Sequence, residues 1–171
     1  MEQGVAGMNK RTLLAIALTL PILALAATAW MKSTQRSSGA EVALPIEGFD
    51  PRDLLSGHYL IYQVDYGLEN LCAATDVATA VCLQPERLAT PADTVPADCK
   101  LFIRGYCDSS ANFNAGIERF YIPEEHAAIL ENKVRDKRGT LVLSVDPQGT
   151  AVIRDLLIDG QPWQEAVKAP N

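Results

Sequence analysis

The sequence predicts an α+β fold: an N-terminal transmembrane helix, then a mostly antiparallel β domain of about five to six strands with one amphipathic helix. Three observations carry this. Residues 12–31 hold no charged side chain. Several later segments alternate apolar and polar side chains between clusters of Pro, Gly, Asn and Asp, the pattern of half-buried strands. One segment instead spaces Ala127, Leu130 and Val134 at helical intervals.

The apolar run T-L-L-A-I-A-L-T-L-P-I-L-A-L-A-A-T-A-W-M is long enough, at about 1.5 Å per residue, to cross a hydrocarbon core of about 30 Å. Trp30 stands where an interfacial anchor belongs and Lys32 follows it, so the run reads as an uncleaved signal anchor, with Pro21 accommodated as a mid-span kink. Ala24-Leu25-Ala26 and Ala27-Thr28-Ala29 are small-residue sites behind a Lys10-Arg11 head, which leaves signal-peptidase cleavage open. Residues 1–11 are then a cytoplasmic N-terminus, 32–45 a linker whose polar part is S-T-Q-R-S-S-G, 46–165 an extracytoplasmic domain and 166–171 a tail.

Lys10 and Arg11 before the span balance Lys32 and Arg36 after it, so orientation rests on the cysteines. Cys72, Cys82, Cys99 and Cys107 all lie beyond the span as two close pairs, which in an oxidising compartment is a disulfide framework. Zinc prefers tighter C-x₂₋₄-C knuckles, and no C-x-x-C redox pair occurs. The expected pairing is Cys72 with Cys82 and Cys99 with Cys107, because each closes a short local loop worth roughly 2–3 kcal/mol. The address is therefore the bacterial inner membrane, single-pass, with the C-terminal domain in the periplasm. That domain is acidic: residues 41–171 carry 11 basic and 20 acidic side chains, a net of −9, which repels phosphate backbones and excludes nucleic acid as a partner.

Along the domain, Asp50-Pro51-Arg52-Asp53 has an N-cap, a proline at the first helical position and an acid in the first turn, so a short helical turn is expected before Gly57. Tyr59–Tyr66 alternates, with Leu60, Tyr62, Val64 and Tyr66 on one face. A second strand is expected near Thr79–Leu83, followed by a long loop over Gln84–Asp98, where Pro85, Pro91 and Pro96 forbid a central strand. Lys100–Tyr106 and Gly116–Ile122 are strands separated by turn formers. A helix runs from Pro123 to about Lys137, acidic at its start and basic at its end as the macrodipole favours. Thr140–Val145 and Thr150–Ile158 form a hairpin over Asp146-Pro147-Gln148-Gly149, a type I turn, and the tail frays after Trp163.

The stretch Asp50-Pro51-Arg52-Asp53-Leu54-Leu55-Ser56-Gly57-His58-Tyr59-Leu60-Ile61-Tyr62-Gln63-Val64 resembles the signature of the GDYXXLXY family, small membrane-anchored bacterial proteins named for a G-D-Y-x-x-L-x-Y motif. Gly116–Glu124, Val145–Ile153 and Leu156–Gly160 are similar to its later blocks, so the resemblance runs in order over residues 50–160. At the motif positions Gly57, His58, Tyr59, Tyr62 and Val64, three differ: His58 replaces aspartate, Tyr62 leucine and Val64 tyrosine. Positions 62 and 64 share one apolar face and exchange one packing side chain for another, whereas His58 replaces an acid and undercuts any chemistry assigned to it. The resemblance implies the tethered architecture and a multi-pass inner-membrane partner. It implies no activity.

Candidate chemistry is sparse. His58 and His126 are the two histidines, and neither sits in an H-E-x-x-H spacing, so His126 reads as a surface helix residue. No G-x-S-x-G elbow occurs, and the S-x-M of a signal-peptidase-like Ser-Lys hydrolase is missing after the span. Tyr59, Tyr106, Phe120, Tyr121 and Trp163 are candidates to line a groove for a peptide or small ligand, or to fill the core. Catalytic, cofactor-binding and metal-ligating residues are assigned to no position. The expected function is a non-catalytic, membrane-tethered interaction or accessory module, the alternative a periplasmic peptide- or small-ligand-binding domain, with a signal-peptidase-like hydrolase ranked behind both.

Overall fold

A computed structural model of the chain describes residues 9–48 and 59–168. The chain divides into two compact units, Met1–Gln35 and Arg36–Asn171. The first holds most of helix α1 (Lys10–Ser38), within which Lys10–Met31 is long and apolar enough to cross a membrane, with a mean hydropathy of 2.2 and no part buried. Its threonines suit apolar surroundings: the hydroxyls of Thr19 and Thr28 donate back to the carbonyls of Ala15 and Leu25, each at 2.9 Å.

The expected linker over 32–45 is not irregular. Helix α1 continues to Ser38, and strand β1 begins at Ala40 and runs to Gly48. Val42, Leu44 and Ile46 alternate with Glu41, Ala43, Pro45 and Glu47, and Leu44 and Ile46 are buried. A proline inside a strand argues against a central position, yet β1 lies between two neighbours. Pro45 fits because its donor-less nitrogen faces the side where β2 (Tyr59–Val64) has ended, and its carbonyl accepts the Asp65 N–H at 2.9 Å.

Two antiparallel sheets make up the second unit among the described residues. Strands β3 (Val77–Gln84), β4 (Leu88–Pro91), β5 (Leu101–Cys107) and β6 (Phe113–Asn114) form one, in the order β4-β3-β5-β6. The other adds β7 (Arg119–Tyr121), β8 (Gly139–Val145), β9 (Ala151–Ile158) and β10 (Gln161–Pro162) to β1 and β2, in the order β10-β9-β8-β1-β2-β7. The domain is thus richer in strands than expected. The proline-rich segment expected as a loop contains β4, tolerated because it is an edge strand with Pro91 at its end. The strand expected over Gly116–Ile122 is cut to three residues. Past Trp163 the chain makes a short helix, α3 (Trp163–Ala166), where fraying was expected.

Helix α2 (Glu124–Arg135) forms where the sequence places it, with Leu130 and Val134 buried and Ala127 half-buried against the core. Those side chains, Leu44 and Ile46 of β1, Leu141 and Leu143 of β8, Leu156 of β9 and Val81 and Ile103 of the smaller sheet belong to one core cluster. The expected β8–β9 hairpin is present, its turn held by Asp146, whose Oδ1 accepts the N–H groups of Gln148 and Thr150 at 2.9 and 2.8 Å. Gly149 is required there twice over: its φ is 84°, and a Cβ would stand 2.4 Å from the Phe102 ring of β5. Its carbonyl accepts the Arg104 N–H at 2.8 Å, tying the turn to the smaller sheet. The expected helical turn at Asp50–Leu55 lies outside the described residues.

All four cysteines are bonded, but as Cys72–Cys107 and Cys82–Cys99, with Cα separations of 5.7 and 5.9 Å. The local pairing expected from spacing is overturned by strand geometry. β3 is extended from Val77 to Cys82, a rise of about 16 Å that carries Cys82 away from Cys72, and β5 separates Cys107 from Cys99 in the same way. Antiparallel pairing puts Val77 opposite Cys107 and Cys82 opposite Phe102, so bridges across the β3–β5 ladder must be nested.

The two bridges close loops with sequence separations of 35 and 17, worth roughly 4 and 3 kcal/mol on the chain-entropy relation. Urea melts of the Cys72→Ser/Cys107→Ser and Cys82→Ser/Cys99→Ser double variants will show losses of about that size and in that order. Non-reducing peptide mapping will recover Cys72 joined to Cys107.

Candidate functional site

Beside the end of β2 a cleft of about 790 Å³ opens between that strand, the loop after it and the turn joining β5 to β6. It exists because the sheet runs out there. β7 pairs with β2 from Tyr59–Tyr121 to Ile61–Arg119, and one further bond joins the Tyr62 N–H to the Glu118 carbonyl at 3.3 Å. Before that point the chain turns at Gly116, whose φ of 80° is accessible to glycine at little cost, and it no longer follows β2.

Tyr62, Val64 and Tyr66 come to the cleft from the inner face of β2 and its continuation. Tyr62 is almost fully buried, and its hydroxyl donates to the Ile117 carbonyl at 2.6 Å. Tyr66 is 5% exposed and packs edge-on against Phe113 with ring centroids 5.2 Å apart. Its hydroxyl is buried and finds no hydrogen-bond partner among the described residues. Burial, and then the charge of Glu118, raise both phenols well above the ordinary tyrosine value, so both remain protonated donors.

The opposite wall is a turn built to be rigid. Asp108 Oδ1 accepts the N–H groups of Ser110 and Asn112, each at 2.9 Å, while its Oδ2 accepts from Asn114 Nδ2 at 3.1 Å. These bonds, that from the Asn112 backbone first, hold the Asp108 carboxyl below the usual carboxylate range. Glu118 Oε1 accepts the Ala115 N–H at 2.6 Å. Four carboxylates, those of Glu47, Asp65, Asp108 and Glu118, line the cleft with one guanidinium, that of Arg119, and Glu47 is further paired with Lys137 Nζ at 2.6 Å. Such a wall favours a ligand that donates hydrogen bonds or carries positive charge. Among the described residues, no group of three or more His, Cys, Asp or Glu side chains is arranged to hold a metal ion.

The motif positions fall in three places. Tyr62 and Val64 line the cleft, Tyr59 sits on the opposite face of β2 in an edge-on pair with Tyr121 at 4.7 Å, and Gly57 and His58 lie outside the described residues. None of Tyr59, Tyr106, Phe120, Tyr121 or Trp163 lines the cleft, whose aromatic side chains are Tyr62, Tyr66 and Phe113. Phe120 and Trp163 pack against each other at the margin of the core. His126 packs edge-on against Trp163 at 6.0 Å and lies 3.6 Å from a Glu125 carboxylate oxygen. Among the cleft residues not named as candidates from the sequence are Tyr66, Phe113, Asp108 and Glu118. The alternation of β2 already placed Tyr66 beside Tyr62, but nothing local brings Asp108 and Glu118 to them.

The family model described as GDYXXLXY protein matches residues 21–156. The chain belongs to the GDYXXLXY family. No curated protein and no solved structure matches it. In this GDYXXLXY protein the motif strand supplies the floor of the cleft, so the tyrosine at position 62, where the family motif has leucine, both fills the inner face and satisfies a carbonyl.

Two substitutions separate the roles of the phenols. Tyr66→Phe removes an unpaired buried hydroxyl and will raise stability in urea melts by about 1 kcal/mol, whereas Tyr62→Phe strands the Ile117 carbonyl and will lower it by about 1–2 kcal/mol. The Asp108 contribution to its turn is complete above the unfolded carboxylate value of about 3.9 and is lost as pH falls through its depressed folded value. NMR shifts of the Ser110 and Asn112 amides will therefore stay constant from neutral pH to about pH 4 and move only below it.

Proposed function

We propose that this protein is a membrane-tethered periplasmic binding module, non-catalytic in itself, that serves as an accessory to a multi-pass protein of the inner membrane. The observation that carries the reading is the cleft on the motif strand, where a buried phenol and a strand edge, both without partners among the described residues, face a wall of carboxylates. These groups bind and orient. The described cleft residues supply hydrogen-bond donors, acceptors and aromatic surface, while no serine, threonine, cysteine or histidine stands among them to act as nucleophile or imidazole base. The apolar segment Lys10–Met31 supports a membrane anchor or a signal sequence, and the two disulfides support an oxidising compartment.

The cleft volume also falls in the range of about 300–1,000 Å³ typical of small-ligand sites, which favours a soluble periplasmic peptide or small ligand as the second reading. Affinity isolation of the full-length protein from gently solubilised native membranes, with mass spectrometry of what accompanies it, tests the first reading. A single membrane protein recovered in stoichiometric amount is the expected outcome. Recovery of the chain alone overturns the accessory role and leaves the soluble ligand.

A further inference from the structure

The cleft does more than offer side chains, because one of its walls is bare backbone. In antiparallel pairing, alternate residues turn their N–H and C=O to opposite neighbours. Asp65 donates to Pro45 on the β1 side, and Tyr62 donates to Glu118 on the β7 side. Val64 therefore shares the orientation of Tyr62, toward the side where β7 has already left. Among the described residues no strand lies on that side of β2 beyond that last bond, and Val64 lines the cleft at this point.

We propose that an extended peptide segment carrying a basic side chain adds to the β2 edge in this cleft, pairing its backbone with Val64 and setting its cation against Glu118, with a polar atom meeting the Tyr66 hydroxyl. This rests on the reading of the domain as a binding module and names the chemistry of what it binds. Strand addition answers the free edge, since main-chain bonds supply affinity while alternate side chains select the partner. A basic side chain answers the charge. Glu47 is already neutralised by Lys137, Asp108 is occupied by its own turn and Asp65 accepts the Gly67 N–H at 2.7 Å, which leaves Glu118 beside Arg119. Glu118 engages one oxygen with Ala115 and keeps the other for a ligand. The Tyr66 hydroxyl is the second, independent sign, because a buried donor without a partner is costly and rare in a finished interior.

Full-length protein in detergent micelles should be titrated by fluorescence anisotropy with a labelled seven-residue peptide alternating threonine and valine around a central lysine. Its glutamate counterpart and two forms of the lysine peptide, N-methylated at odd or at even amides, complete the set. The expected result is binding of the lysine peptide at least tenfold tighter than the glutamate peptide, with Glu118→Gln reducing that preference about tenfold. One N-methylated form should lose binding and the other keep it. Tyr66→Phe should weaken the lysine peptide several-fold while raising the melting temperature, a combination that a purely structural tyrosine would not produce.

Equal affinity for the lysine and glutamate peptides, or equal effects of the two methylation patterns, overturns the proposal. Repeating the membrane isolation with Glu118→Gln separates it from the reading it rests on. A membrane partner retained by that variant counts against this occupant of the cleft while leaving the module intact, and a partner lost with it supports the occupant.

Discussion

Strand β1 is the joint of the domain. It pairs with β8 from Ala40–Val145 to Ile46–Gly139 and with β2 at Ile46–Val64 through Gly48–Tyr62, so among the described strands the backbone ladder from the motif strand to the C-terminal hairpin runs through it. Leu44 and Ile46 stand at its centre, almost fully buried, and touch off the packing on both sides. Gly139 shows how close that packing is, since a Cβ there would come within 2.7 Å of Ile46. The segment that follows α1 is thus not a tether hanging from a finished fold but a central strand of the larger sheet, and the place where β2 stops beside Pro45 is also the place where the cleft begins.

The smaller sheet is organised by a different constraint. Its β3–β5 ladder is bracketed by two nested disulfides, each joining one of these strands to the segment that leads into the other, and the β5–β6 turn, fixed by Asp108, forms the far wall of the cleft. One bridge ends at Cys107, the residue before Asp108 and the last of β5. Covalent closure and the Asp108 hydrogen bonds therefore stiffen the same wall. The other wall is softer in its hydrogen bonding, since among the described residues the Tyr66 hydroxyl and the outer edge of Val64 have no partner. Rigidity opposite a few unsatisfied groups supports the binding module proposed above, because ordering costs are met in advance.

The motif strand, β2, lies on the floor of the cleft, with Tyr62 and Val64 on one face and Tyr59 on the other. Its alternate side chains serve two different surfaces, one packed against the core and the cleft, the other carrying the exposed Tyr121 against Tyr59.

By itself the sequence determined much of what depends on neighbours in the chain. The uncharged run made residues 12–31 of α1 apolar, the alternation of Tyr59–Tyr66 put Tyr62 inward, the spacing of Leu130 and Val134 aimed α2 at the core, and Asp146-Pro147-Gln148-Gly149 made its turn. These features follow from periods of two and 3.6 residues and from local hydrogen bonds, which short stretches of sequence encode. Only the tertiary structure decided the partners. The nested disulfides, the central place of β1 despite Pro45, the edge strand β4 and the meeting of Tyr66, Glu118 and Asp108 all depend on which strands pair and in what register. Register joins residues far apart in the chain through backbone bonds that look alike at every position, and so the composition of any one segment does not reveal it.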